Sequence, residues 1–410
     1  MNEQIETVII GAGHAGLIMS YYLSQLGREH VLMERGRVGE RWRSERWDSF
    51  YFQFPNWSIE LPGYGYQTQD PDGFVSAAEI VRFLHGYADR IRAPVRCGVE
   101  VKSLQRFENE RYLLETTNSA ILAKNVIIAT GPFHVPACRP ASAVIPDEIF
   151  QVHSSQYRNP DGLPPGAVIV VGAGSSGCQI AEDLNRNGRE VYLSVGRHVR
   201  VPRRYRGHDY SWWRRIMGAW DRTVDSLPSP DAKNVPVPLL TGYAGGYDVD
   251  FRRMADNGIH LLGRLQSVRN GVLVSAPDLK ENLTKGDETF SGFKKSVDQY
   301  VRKTGLDVPD DNPPAEGCLN QKEILHSILE LDLKAAGIGA IVWANGFRYD
   351  FDWVKVPVSD QNGTPVHRRG ITKYSGLYFL GLRWLYKLKS AFLIGSGPAE
   401  DAAYIAERIK

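Results

Sequence analysis

The chain has 410 residues, 42% of them hydrophobic and 23% charged, with a formal net charge of +2. That length suggests two to three domain-sized units with sizeable cores, and the composition is that of an ordinary soluble globular protein. The near balance of charge gives no electrostatic reason to expect nucleic acid or an anionic membrane as a partner.

The opening MNEQIETVIIGAG runs from a few polar residues straight into a strand, without the basic and apolar regions of a secretion signal. No apolar run approaches the roughly 18 residues that a spanning helix requires, so no membrane role is expected. Four scattered cysteines, Cys97, Cys138, Cys178 and Cys318, form no C-x-x-C pair and no metal-ligand spacing with histidine. They argue for a reducing cytoplasm, and against a disulfide scaffold, a dithiol active site or a metal centre.

In chain order, the β-branched run Thr7-Val8-Ile9-Ile10 predicts a strand. It enters Gly11-Ala12-Gly13-His14-Ala15-Gly16, a helical pattern near 15–26 and a second strand, His30-Val31-Leu32-Met33-Glu34. A helix near 77–90 and alternating short strands and turns lead to Val126-Ile127-Ile128-Ala129-Thr130-Gly131. Pro- and Gly-rich stretches at 132–146 and 159–166 read as linkers. The opening layout then returns: Val168-Ile169-Val170-Val171, Gly172-Ala173-Gly174-Ser175-Ser176-Gly177, a helix near 177–187, and the strand Glu190-Val191-Tyr192-Leu193-Ser194.

Residues 202–255 are rich in Arg, Trp and Tyr with weak periodicity and read as mixed helix and loop. Phe290, Phe293, Val297, Tyr300 and Val301 fall near helical spacing over 289–303, a face that simple packing explains. A Pro/Asp-rich loop at 305–318, a strand at Ile341-Val342-Trp343-Ala344 and a helix from about 400 complete the pattern.

A lone G-x-G-x-x-G is weak evidence, but here each copy follows a strand and opens a helix that leads to another strand. The first glycine permits the tight turn, the second admits a pyrophosphate to the backbone, and the third lets helix and strand pack closely. The helix N-terminus presents oriented N–H groups to the anion. Each unit is therefore expected to hold a dinucleotide.

The two units differ at the end of their second strands. Glu34 suits ribose hydroxyls, as in FAD or NAD, and would repel a 2′-phosphate. The second unit offers Ser194 and Arg197, with Arg200, Arg203 and Arg204 beyond, which suits a 2′-phosphate and hence NADPH. The alternative for these arginines is a solvated basic loop.

The ordered set of both glycine units, Ala129-Thr130-Gly131, His153-Ser154-Ser155-Gln156-Tyr157, Ala344-Asn345-Gly346-Phe347 and Gly376-Leu377-Tyr378-Phe379-Leu380-Gly381 resembles the bacterial flavin-containing monooxygenases. These class B flavoprotein monooxygenases are two-dinucleotide-binding-domain flavoproteins, and the resemblance covers nearly the whole chain. It implies an α/β fold of two Rossmann-like domains, with the NAD(P) domain inserted into a discontinuous FAD domain. The FAD domain is expected over 1–158 and 330–410, and the NAD(P) domain over 159–329 with an aromatic and basic insertion near 202–320.

By the same resemblance, Gly11, Gly13, His14, Ala15, Gly16, Glu34, Arg35, Arg41 and Trp42 contact FAD, with Val101, Ala129, Thr130, Gly131, Gly381 and Leu393. Gly172, Gly174, Ser175, Ser176, Gly177, Ser194 and Arg197 contact NADPH. Asn56, in Phe54-Pro55-Asn56-Trp57, aligns with the family's asparagine beside the flavin, where it would act on a peroxide at C4a; a turn asparagine fits equally well. His153 is read as satisfying linker backbone rather than as an acid or base. Trp212, Trp213 and Trp220 fit either a pocket roof or ordinary packing.

The departures bear on reaction subtype. Asp147 and Ile149 replace the Phe and Gly of the linker fingerprint F-x-G-x-x-x-H-x-x-x-(Y/W), Glu40 replaces the second Gly of G-G-x-W, and Asn345 replaces a Thr. Tyr157 in place of Trp disfavours the Baeyer–Villiger subclass. The expected function is NADPH-dependent oxygenation of a small nitrogen- or sulfur-containing substrate with O₂ through a C4a-(hydro)peroxyflavin. The alternative is an NAD(P)H oxidase or flavin-based redox sensor. The resemblance admits a homodimer.

Overall fold

The computed structural model describes residues 3–108, 110–137, 140–311 and 328–409. The chain opens with the strand Glu3–Ile10, the helix His14–Gln25 and the strand His30–Glu34. Val8, Ile9 and Ile10 are all buried, because a parallel strand covered on both faces needs continuous rather than alternating apolar residues. Thr7–Ile10 pairs in parallel with His30–Met33 on one side and with Asn125–Ile128 on the other.

Among the described residues this first sheet has seven strands. Val95–Cys97, His30–Glu34, Glu3–Ile10 and Ala120–Ile128 lie side by side, and Tyr112–Thr116 and Val101–Arg106 follow as an antiparallel meander. Ala120–Ile128 is long enough to serve two partners. Its start pairs with Tyr112–Thr116, and Val126, Ile127 and Ile128 pair in parallel with the late strand Leu377–Phe379.

The second sheet repeats the plan. Its order is Phe150–His153, Ile338–Trp343, Ala167–Val171, Val191–Ser194 and Ile259–Leu262, all parallel. A second meander, Leu265–Arg269, Val272–Ser275 and Glu330–Asp332, accompanies it. The helix Leu279–Thr304 departs after the second strand of that meander and ends at Gly305, whose φ of 67° makes the usual left-handed C-terminal stop. It starts ten residues ahead of the expected 289, where polar residues obscure the period. Its Val297 is buried with Tyr205 and Trp213, so that face packs on the body.

Sheet membership corrects the expected boundaries. Phe150–His153 and Ile338–Trp343 belong to the second sheet, although the expected boundaries assigned them to the first unit. Strand composition reports burial but not which sheet a strand joins. The chain crosses between units twice, and the crossings are strapped together: Val135–Pro136 pairs antiparallel with Phe347–Arg348. No helix among the described residues is long and apolar enough to cross a membrane. Of the 305–318 loop, residues 312–318 lie outside the described residues, as do Cys138 and Cys318.

Candidate dinucleotide cradles and active site

The two glycine turns are built alike. Gly11 has φ of 107° and Gly172 of 109°, a backbone that L side chains rarely adopt. A Cβ on Gly11 would stand 2.7 Å from the Ala129 carbonyl oxygen, and one on Gly172 would stand 2.6 Å from that of Ala344. A Cβ on Gly16 would overlap the Gly11 carbonyl, and one on Gly177 the Gly172 carbonyl. Both outer glycines are thus required by the fold itself. The middle ones are not: a Cβ on Gly13 or Gly174 would meet no protein atom within 4 Å. The helices His14–Gln25 and Ser175–Arg186 both begin without a side-chain cap, which leaves N–H groups for an anion.

Around the first cradle, Glu34 accepts from Ala12 N–H at 2.8 Å and from Gly36 N–H at 2.9 Å, which fixes its carboxylate at the strand end. Val99 N–H donates to the Glu34 carbonyl at 2.9 Å, so the chain leading to Val101 passes the same end. Gly39 N–H donates to the Ala12 carbonyl at 3.1 Å and seats the short helix carrying Arg41 and Trp42. Arg41 pairs with Glu45 at 2.9 Å, whereas Arg35 is exposed.

From the other side, a Cβ on Gly381 would stand 2.7 Å from the Cβ of Ala15. Leu393 is buried nearby in sequence. Ala129 N–H donates to the Ile10 carbonyl at 2.9 Å, and Thr130 Oγ1 lies 3.0 Å from His134 Nε2. His14 is half-buried with its Nε2 enclosed; burial pushes its pKa down to about 4, and that Nε2 has no protein partner among the described residues. Asn56 is buried and donates from Nδ2 to the Asp70 carbonyl at 2.9 Å, while its Oδ1 has no protein partner.

Around the second cradle, Ser175 Oγ accepts from Leu240 N–H at 3.2 Å, and Ser176 is exposed. The expected arginine cluster divides. Arg200 pairs with Asp250 at 2.5 Å and Asp287 at 2.8 Å, and the buried Arg203 pairs with Asp209 at 2.5 Å. Arg204 donates to the Gly245 and Gly246 carbonyls at 2.8 and 2.9 Å. Arg197, three residues beyond the strand, is exposed and makes no such bond among the described residues. Ser194 is corrected: its buried hydroxyl donates to the Gly263 carbonyl and accepts from Leu265 N–H, both at 3.0 Å, so it is not free to bind a phosphate.

Residues 8–213 match the family described as pyridine nucleotide-disulphide oxidoreductase. The chain belongs to this family. An uncharacterized CzcO-like oxidoreductase of Geobacillus kaustophilus is 31% identical, over 100% of this chain and 99% of its own. A probable indole-3-pyruvate monooxygenase of Arabidopsis thaliana is 26% identical over 73% of this chain and 74% of its own. The flavin-containing monooxygenase structure from Stenotrophomonas maltophilia superposes with a TM-score of 0.65 at 17% identity, covering 99% of this chain and 98% of that one. The chain is a flavin-containing monooxygenase-like oxidoreductase with the two-unit α/β fold of that group.

In this oxidoreductase the linker histidine serves the backbone. His153 Nδ1 accepts from Ser155 N–H at 3.2 Å, so Nε2 carries the proton and donates to the Gly346 carbonyl at 3.1 Å. Burial holds its pKa below the usual histidine value. His134, which the sequence reading passed over, makes the matching bond in the first unit, to the Gly131 carbonyl at 2.7 Å. No local pattern marked it, because its partners at Gly131 and Asp350 are brought together only by the fold.

The tryptophans separate as well. Trp212 stacks on His208 with centroids 3.7 Å apart, and the buried Trp213 donates to the Tyr205 carbonyl at 2.8 Å; both pack the insertion. Trp220 instead stacks on Trp57, next to Asn56, at 5.8 Å.

Proposed function

We propose that this oxidoreductase is an NADPH-dependent FAD monooxygenase that oxygenates a small nitrogen- or sulfur-containing substrate. The observation that carries the reading is two ligand-ready cradles in one chain with opposite equipment at their second strands: a fixed carboxylate at Glu34 and an uncommitted guanidinium at Arg197. The first fits FAD through Gly13, the uncapped helix at His14 and Glu34. The second fits NADPH through Gly174, the uncapped helix at Ser175, and Arg197 for the 2′-phosphate.

The hydride transfer and O₂ activation would be supplied by the bound FAD and NADPH, since that chemistry belongs to the cofactors. The chain binds, orients and keeps water out. Asn56 places an unpaired carbonyl oxygen, able to accept a hydrogen bond, in a buried position, and its chain neighbour Trp57 stacks on Trp220. His14, held neutral by burial, adds an uncharged ring at the first helix N-terminus. The absence of a C-x-x-C pair in the sequence supports oxygenation over dithiol chemistry.

The test is NADPH consumption with amines, sulfides, hydroxylamines and ketones, with product and hydrogen peroxide measured together. Oxygenated amine or sulfide product formed in step with NADPH use is the expected result. Peroxide released in proportion to NADPH, with no substrate oxygenated, would make the protein an oxidase.

A further inference from the structure

The Ala344-Asn345-Gly346 turn stands to the second cradle as Ala129-Thr130-Gly131 stands to the first. Ala344 N–H donates to the Val171 carbonyl at 2.9 Å, as Ala129 N–H does to Ile10. The Ala344 carbonyl closes on Gly172 as the Ala129 carbonyl closes on Gly11. At the middle residue the units part company. The Thr130 hydroxyl has a partner in His134 at 3.0 Å. The longer amide of Asn345 has none among the described residues: Nδ2 and Oδ1 are both buried and both lack a hydrogen-bond partner there.

An amide carries two donor hydrogens and an accepting carbonyl, and buried polar groups of native proteins are almost always satisfied. No described residue satisfies this one, which points to a group from outside the chain. Its position limits the choice, since a Cβ on Gly172 would lie 3.2 Å from Asn345 Oδ1, at the turn where a dinucleotide meets the backbone.

We propose that Asn345 binds the phosphate-ribose portion of the nicotinamide nucleotide, Nδ2 donating to a phosphate oxygen and Oδ1 accepting from a ribose hydroxyl. This rests on the assignment of the second cradle to NADPH. It makes Asn345 a nucleotide-binding residue whose amide is unsatisfied until the nucleotide arrives. Arg197 selects the 2′-phosphate; Asn345 grips the part that NADPH and NADH share.

The experiment uses the FAD-loaded protein and titrates NADP⁺ and NAD⁺ by calorimetry, alongside thermal melting with and without nucleotide. Asn345→Ala is expected to weaken both nucleotides by about tenfold or more. Flavin content should be unchanged, and the melting temperature without nucleotide should hold within about 2 °C. Asn345→Thr, which keeps one donor and one acceptor, should fall between and covers the case in which the alanine variant fails to fold. Affinity within about twofold of wild type in both variants would overturn the proposal. So would a lower melting temperature without nucleotide at unchanged affinity, which would make the amide a partner of buried water. Wild-type protein that binds neither nucleotide would overturn the cradle assignment itself, a failure distinct from that of Asn345.

Discussion

Tyr157 donates its hydroxyl to one oxygen of Asp183 at 2.7 Å, while the other oxygen of that carboxylate accepts from Ser49 at 2.6 Å. Ser49 follows the short helix Glu40–Ser44 beside the first cradle, Tyr157 ends the linker motif, and Asp183 rides the helix that opens the second cradle. The carboxylate therefore ties both units to the crossing between them. Tyr157→Phe removes one of two hydroxyls from a buried charge, costing about 1.5–3 kcal/mol. A melting temperature several degrees below wild type is expected, with Ser49→Ala smaller in effect because Ser49 is less buried. A Tyr157→Phe variant that melts with wild type would show that the tie contributes nothing.

Gly13 and Gly16 separate ligand from fold. Gly13→Ala points its methyl into space that no protein atom occupies, so it should fold normally and lose FAD. Gly16→Ala drives its methyl into the Gly11 carbonyl and should destabilise the protein itself. The flavin-to-protein absorbance ratio, read beside the melting temperature, distinguishes them. Full flavin occupancy in Gly13→Ala would remove FAD from this cradle.

Arg197→Ala should raise the KM for NADPH by roughly 10- to 100-fold, the equivalent of about 1.5–3 kcal/mol for one charge-assisted contact, and leave NADH nearly unchanged. Ser194→Ala should not discriminate between the cofactors, because its hydroxyl is committed to Gly263 and Leu265. Steady-state kinetics with both nucleotides decides the point. Equal losses on NADPH and NADH in Arg197→Ala would assign it a structural role.

Asn56→Ala should retain FAD and be reduced by NADPH without O₂ at close to the wild-type rate. With O₂ and substrate it should release a larger share of its electrons as hydrogen peroxide, because the unpaired Oδ1 is lost from the buried site. An unchanged ratio of product to peroxide would leave Asn56 as a turn residue holding Asp70.

His367 predicts a pH dependence of stability. Burial, with a smaller contribution from Lys233, pushes its pKa down to about 4 from the ordinary 6.5, and its Nδ1 accepts from Gly370 N–H at 3.2 Å. The unfolded chain then binds the proton more readily than the folded one. This stability is full above pH 6.5 and is lost as pH falls from 6.5 towards about 4, at up to about 1.4 kcal/mol per pH unit. His367→Asn keeps an acceptor and does not titrate, so its melting temperature should fall less steeply over that window. Part of the slope remains, since His14 titrates in the same sense. Parallel slopes for variant and wild type would remove His367 from the account.

The two cradles were legible in the sequence because their physics is local. A β-branched run, a turn that only glycine can make and a helix starting on that turn are all set within about twenty residues. The ends of the second strands, at Glu34 and Ser194, were readable for the same reason. What the sequence could not carry was pairing at a distance. Ile338–Trp343 reads as a buried strand from its composition, but only packing assigns it to the second sheet. Ser194, Arg200 and Arg203 were further candidates beside Arg197 until the fold brought Gly263, Asp250 and Asp209 to them. Asn345 looked like a mere departure from a motif, and only the fold shows that no donor or acceptor among the described residues reaches its amide. A side chain's chemistry is written in its residue type, but whether that chemistry is already satisfied depends on which atoms the fold brings beside it.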